Sequence, residues 1–430
     1  MERKLIEQYL INKKEEIRLL TVKERLTSFE VSKQFVTVIV GARRTGKTYG
    51  VLDFLLNKLR LKDSDFLYLN LEDVDLDGFT NKDISDAVNV HQQIYGMMPS
   101  VIYVDEPQVV RDWEKAIYSF HEKKLFKIII TGSSSKLLSK EIASALRGRT
   151  LTYFVYPLSF KEYLLFKGVT PKERGPLPSS IKNKIMYELS MYLAIGSLPD
   201  VVINPPVSSK FYNDYIDLII FRDIVERFGI KNIGIIRFVI KSLITSFSKQ
   251  ASIHSMYKAL KGSGQKVSKK TLYSYVSLLE DAYFSFQLKK FNFSSKKSEL
   301  SIPKIYLNDW GIASTMLDLK TEIGRTMENA VFIELKRRQT QNDRLYYSDV
   351  GYEIDFVKVE KNKVSNLIQV TYASNKNEIK GREIENLLSG AVKLKCSDLL
   401  IITWDYEAEE KVKGRKIRFV PLWKWLLDLD

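Results

Sequence analysis

The chain has 430 residues, 45% hydrophobic and 28% charged, a balance that belongs to folded globular proteins and excludes a disordered chain. Its 67 Lys and Arg exceed 52 Asp and Glu for a net charge of +15, which suits a polyanionic partner or a surface of solvated lysines. One cysteine, Cys396, excludes an intrachain disulfide and a Cys-based zinc site, and His91, His121 and His254 are too few for a His-rich metal cluster.

The first 30 residues read as helical, with Leu5, Tyr9, Ile17 and Leu20 as apolar positions. Charges run through them, so no secretory signal is expected, and no run of about 18 apolar residues occurs, so a cytoplasmic protein without a membrane span is expected. Residues 35–40 are a β-branched run of buried-strand type, followed by a glycine-rich turn and a helix over 46–59. Further strands are expected at 66–70, 101–105, 127–131 and 151–155, with helical stretches between them. Alternation of this kind means an α/β fold with a parallel sheet. Residues 159–228 read as mostly helical. Over 231–300 thirteen Lys or Arg stand against three Asp or Glu, a net +10, so two thirds of the excess charge lies in 70 residues. From Gly311 a helix at 321–339 precedes strands at 344–348, 352–359 and 365–372.

Gly41-Ala42-Arg43-Arg44-Thr45-Gly46-Lys47-Thr48 matches G-x-x-x-x-G-K-[ST] between a strand and a helix. Glycines let backbone N–H groups turn inward around phosphates, the helix start adds partial positive charge, Lys47 reaches the β/γ-phosphates and Thr48 offers its hydroxyl to Mg²⁺. Tyr49 completes the expected nucleotide-binding segment, 41–49. Asp105 and Glu106 end the 101–105 strand. Asp105 is placed to hold Mg²⁺ and Glu106 to orient or deprotonate the attacking water. Ser133, past the fourth strand, is either a γ-phosphate sensor or a helix cap. Arg147 and Arg149 are each candidates for an arginine that reaches across a subunit boundary, or solvated turn residues.

These residues resemble the prokaryotic AAA+ ATPases of the STAND-related, helicase-loader-like group that carry a C-terminal restriction-endonuclease-like domain. The resemblance rests on GARRTGKT at 41–48, LYLNLED at 67–73, VIYVDEPQ at 101–108, IIITGSSSKLL at 128–138, LRGR at 146–149 and YPLSFKEYL at 156–164. It continues through FRDIVERF at 221–228, TLYSYVSLLEDA at 271–282, GYEIDFV at 351–357 and LIQVTYA at 367–373. It implies an ATPase core over 1–158, a helical lid over 159–228, a winged helix over 229–310 and a nuclease-like domain over 311–430.

The residues of the basic middle give the same outline. A helix near 253–261, a turn at 262–264, a Ser268-capped helix with Leu272, Tyr275, Val276 and Leu279 on its buried face, a strand at 283–291 and a basic turn at 294–297 make a winged helix. Lys266, Lys269, Lys270, Lys296 and Lys297 are its expected DNA contacts; packing between neighbours with solvated lysines is the other reading. No arginine or asparagine is poised for bidentate base contacts, so sequence-specific recognition is not expected.

The last domain resembles the PD-(D/E)XK nucleases. Glu328 and Asp355 match their helix acid and strand acid, while Gln369 and Thr371 stand where a second acid and a lysine belong. A neutral amide is a weak Mg²⁺ ligand and threonine supplies no charge. A degraded fold kept for DNA contact or assembly is therefore expected ahead of an active nuclease. The chain thus reads as an ATP/ADP- and Mg²⁺-binding ATPase acting on DNA, as a homo-oligomer if an arginine acts in trans. A nucleotide-gated signalling or defence switch with a protein partner is the alternative, and an ATP-regulated nuclease the second.

Overall fold

The computed structural model describes all residues except 134–145, 147, 171–176, 206–207, 227, 350, 352 and 430. Arg147 thus lies outside the described residues. Two compact units divide the chain, Met1–Tyr156 and Pro157–Asp430.

In the first unit, α1 (Arg3–Leu19) precedes β1 (Val36–Val40), α2 (Lys47–Asp53), β2 (Phe66–Asn70), α3 (Asn81–Tyr95), β3 (Val101–Asp105), α4 (Trp113–Lys123), β4 (Lys127–Gly132) and β5 (Thr150–Phe154). The strands form a parallel sheet in the order β2-β3-β4-β1-β5. The central strands β1 and β3 are buried throughout, as expected of a sheet covered by helices on both faces. Ile39, Val51, Leu55, Phe66, Tyr103 and Ile129 belong to one continuous core. After Asp53 the helix widens into a π-helical turn, Phe54–Lys58.

The first helix is shorter than expected. It ends at Leu19, and residues 20–35 run without helix. Ile6, Tyr9, Leu10 and Ile17 form its buried face, whereas Leu5 and Leu20 are exposed. The tail beyond Leu19 is taken up by tertiary contacts of Arg25 and Phe29, which a helical continuation would carry away from the sheet.

In the second unit α5 (Phe160–Phe166), α6 (Ser179–Ile195), α7 (Pro199–Ile203) and α8 (Ser208–Leu218) lead into a π-helical stretch, Ile219–Glu226. Then come α9 (Ile233–Thr245), β6 (Lys249–Gln250), α10 (Ile253–Gly262), α11 (Lys269–Asp281), β7 (Ser285–Leu288), α12 (Ser295–Glu299) and β8 (Lys304–Leu307). These three strands pair antiparallel in the order β6-β8-β7. Ser268 caps α11 by accepting from the Thr271 N–H at 3.0 Å, and Leu272, Tyr275, Val276 and Leu279 are its buried residues. The basic turn expected at 294–297 is instead the start of α12. Ser294 caps it, and the Ser298 hydroxyl donates to the Lys290 carbonyl at 2.7 Å, tying the helix to the chain before it.

The chain closes with α13 (Ile323–Arg338), β9 (Asp343–Ser348), β10 (Ile354–Glu360), β11 (Lys363–Val370), α14 (Gly381–Lys393), β12 (Leu399–Thr403), β13 (Ala408–Val412), β14 (Arg415–Pro421) and α15 (Leu422–Leu426). The strands form a mixed sheet, β13-β14-β12-β11-β10-β9. Among the described residues no helix is long and apolar enough to cross a membrane.

Candidate nucleotide site

The site gathers where β1, β3 and β4 end. Register places Thr131 of β4 beside Ile39 on one side and Asp105 on the other. The loop that leaves β1 therefore lies two strand spacings, about 10 Å, from the end of β3. The first turn of α2 closes that gap: the Thr48 hydroxyl donates to Oδ2 of Asp105 at 2.6 Å. The other Asp105 oxygen accepts from the Thr131 hydroxyl, which also contacts the Tyr103 hydroxyl at 3.2 Å.

Two glycines shape the loop. A Cβ on Gly41 would sit 2.3 Å from the Val155 carbonyl oxygen just past β5, a distance no side chain tolerates. Gly46 takes φ +84° as it starts α2, a left-handed conformation costly to other residues. Arg44 takes the same region at φ +63°. The Thr45 hydroxyl donates to the Ala42 carbonyl at 2.9 Å. Lys47 is buried and folds back over the loop, donating to the carbonyls of Gly41 and Ala42 at 3.0 and 2.9 Å. Arg43 is turned aside into a two-pronged pair with Glu72, at 3.0 and 2.8 Å. Tyr49 is half exposed.

Glu106 is buried in a left-handed conformation, φ +51°. Its Oε2 accepts from the Ser133 N–H at 3.1 Å, the Ser133 hydroxyl at 3.2 Å and the Gln108 amide. Burial pushes its carboxyl above the usual carboxylate range; the Lys47 charge pulls it down and the Asp105 charge raises it. Ser133 thus meets Glu106.

Arg149 stands apart. It precedes β5, its carbonyl accepts from the Val36 N–H at the start of β1, and its guanidinium pairs with Glu122 at 2.6 Å. The loop leaves the opposite end of β1, about 16 Å of strand away.

Sequence reasoning missed Arg25, Thr131 and Gln108. Arg25 is buried and donates to the Thr45 carbonyl at 2.7 Å and the Tyr156 carbonyl at 3.1 Å. Nothing local marks it within LTVKERLTS. Thr131 and Gln108 lay inside motifs already singled out; the polar character of Thr131 near the end of β4 and of Gln108 in the turn Pro107–Val109 after β3 was the available signal.

In the second unit the expected DNA lysines are exposed. Lys266 lines a groove of about 620 Å³ with Tyr257, Lys261, Gln265 and Ser268. The Lys269 ammonium lies 5.5 Å from the Tyr257 ring centre, and its charge pushes the His254 imidazole below its ordinary range. Lys296 and Lys297 stand on α12, in the connection between β7 and β8. Glu328 and Asp355 converge on the Lys304 ammonium at 3.1 and 3.0 Å. Gln369 accepts from the Asp355 N–H at 3.4 Å, and Thr371 is buried. Lys304 was also missed, although a lone lysine in the apolar run IPKIYL was a signal.

A five-stranded parallel sheet with a glycine-rich phosphate loop and a serviced Asp-Glu pair defines a P-loop AAA+ ATPase fold. Residues 33–164 match the AAA domain family model, and residues 186–323 match a domain of unknown function, DUF8612. The chain belongs to the family of the uncharacterized protein MJ1544 of Methanocaldococcus jannaschii, with 35% identity over 434 residues, 98% of this chain and 95% of that one. An uncharacterized protein of Haemophilus influenzae is 29% identical over 90% of this chain and 94% of its own. The solved Aeropyrum pernix ORC1 protein in complex with DNA aligns over 78% of this chain and 98% of that chain, at 11% identity and a TM-score of 0.30, too low to bear on function.

Proposed function

We propose that the chain is a Mg²⁺-dependent ATPase whose nucleotide state governs a DNA-facing basic module. One observation carries it: the Thr48 hydroxyl against Asp105 Oδ2 at 2.6 Å. Hydroxyl and carboxylate are the hard oxygen donors that Mg²⁺ takes, so Thr48 and Asp105 fit the ion. Bound there, it neutralises phosphate charge. The chain supplies the rest. Loop N–H groups and the start of α2 hold the phosphates. Lys47 exchanges two carbonyl partners for β/γ-phosphate oxygens. Glu106, its proton affinity raised by burial, takes the proton of the attacking water. Ser133 orients Glu106.

Arg149 lies too far from its own loop to serve it, which supports action on a neighbouring copy and a homo-oligomer. The strand order β6-β8-β7 with α9, α10 and α11 supports a winged helix, and the exposed lysines around its groove support contact with a nucleic-acid backbone.

ATP hydrolysis with and without duplex DNA, at two protein concentrations, tests this. DNA and higher protein concentration should both raise turnover per chain, and DNA binding should weaken steeply between about 50 and 200 mM salt. No ATP binding in a calorimeter would sink the proposal. One observation favours a second reading, a slowly hydrolysing switch with a protein partner: Glu106 is held by Ser133 and Gln108. Turnover indifferent to DNA and binding indifferent to salt would select it.

A further inference from the structure

Lys304 sits at the start of β8, with its backbone paired to Gln250 of β6 on one edge and Leu288 of β7 on the other. Its position is therefore fixed from both sides. Strand alternation sends the side chains of Lys304 and Tyr306 to one face. Both end on the same atom: Oε1 of Glu328 receives the Lys304 ammonium at 3.1 Å and the Tyr306 hydroxyl at 2.6 Å. The ammonium also meets Oδ1 of Asp355 at 3.0 Å, and the other Asp355 oxygen accepts from the Val370 N–H at 3.0 Å. Glu328 belongs to α13 and Asp355 to β10. Lys304 is 5% exposed and Asp355 4%.

We infer that Lys304 is the resident cation of the Glu328–Asp355 pair. Its ammonium takes the place between the two carboxylates that a divalent ion would need, so the native pocket does not take Mg²⁺ or Mn²⁺. The residues do not fit a nuclease metal centre, for three reasons. Mg²⁺ demands oxygen ligands at about 2.0–2.1 Å in near-octahedral array, and an ammonium lodged at hydrogen-bond distance from both acids leaves neither the space nor the negative charge. The two positions where a second acid and a lysine would complete the centre add no charge: Gln369 is neutral and engaged by the Asp355 N–H, and Thr371 offers only a neutral hydroxyl. The lysine also cannot leave cheaply, because a buried pair broken on one side leaves uncompensated charge. The triad instead clamps the three-stranded sheet to the six-stranded one. Two further contacts act beside it. The Asn329 amide pairs with both the N–H and the carbonyl of Leu307, at 2.9 Å each, and Tyr306 stacks on Phe332 at 4.1 Å.

The test is Mn²⁺ binding to the full chain without nucleotide, followed by the paramagnetic signal of the free ion. Wild type and Asp355→Asn should give superimposable curves, since any Mn²⁺ held at Thr48 and Asp105 is common to both. A site present in wild type and lost in Asp355→Asn or in Glu328→Gln overturns the inference. Lys304→Ala opens the position. It should gain an Mn²⁺ site that Asp355→Asn removes in the same background, and Mn²⁺ should raise its melting temperature by more than that of wild type. A folded Lys304→Ala chain that gains no site also overturns it. Should that variant fail to fold, the comparison of wild type with the two acid variants decides by itself. The outcome is independent of whether the chain hydrolyses ATP.

Discussion

The buried guanidinium of Arg25 donates to the backbone carbonyl of Thr45 at 2.7 Å, so a residue upstream of β1 pins the middle of the phosphate loop from behind. Its second contact, to the Tyr156 carbonyl at 3.1 Å, ties the same loop to the chain beyond β5. Arg25→Ala leaves two buried carbonyls without this donor. Such a loss costs about 1–3 kcal/mol, and the loop is freed at the same time. Thermal unfolding should show the destabilisation, and titration calorimetry a matching loss of ATP affinity. Unchanged ATP affinity would assign Arg25 to stability alone.

Lys47→Ala removes the charged donor over the loop. A hydrogen bond to a charged group is worth about 1.5–3 kcal/mol, so ATP affinity should fall by about 10- to 100-fold. Turnover should be lost with it. Hydrolysis at the wild-type rate would end the proposed assignment of the loop.

Glu106→Gln keeps size and the contact with Ser133 but cannot accept a proton. ATP binding should persist while turnover drops by about 10²–10⁴-fold, the usual worth of a positioned general base. If Gln108→Ala instead raises turnover, the amide restrains Glu106 in the manner of a switch.

Gly41→Ala is a steric test of the loop path. The added carbon would meet the Val155 carbonyl at 2.3 Å. Either the loop or the segment just past β5 must move, and ATP binding should be lost while Gly324→Ala, with open space around it and no left-handed backbone, retains binding.

Lys14 provides a pH test. It is buried beneath α1, its ammonium donates to the Phe66 carbonyl at 2.8 Å, and burial pushes its pKa down to about 7. The unfolded chain, with an ordinary lysine near 10.4, holds more protons between those values. Stability should therefore rise with pH from about 7 towards about 10, by up to about 1.4 kcal/mol per unit from this group, and the group's penalty should be complete below about 7. Lys14→Met should abolish that slope in denaturant unfolding at several pH values.

The parallel sheet and the phosphate loop were legible in the sequence because both are local. A run of β-branched residues closing on GARRTGKT needs no distant partner to declare itself, and burial patterns such as Leu272, Tyr275, Val276 and Leu279 follow from helical periodicity alone. The end of α1 and the short helix α12 were not legible, since each is decided by contacts to other segments: Arg25 to the loop, Ser298 to Lys290.

Residue order by itself determined which chemistry is available: a lysine, a hydroxyl and an Asp-Glu pair at strand ends. Only the tertiary structure decided who meets whom. Inserting β4 between β1 and β3 made Thr131 a partner of Asp105, and the pairing of β8 carried Lys304 to two acids 24 and 51 residues away. Hydrogen bonds and ion pairs depend on distance in space, and for residues far apart in the chain that distance is set by strand order and register together with the packing of helices and loops against the sheets.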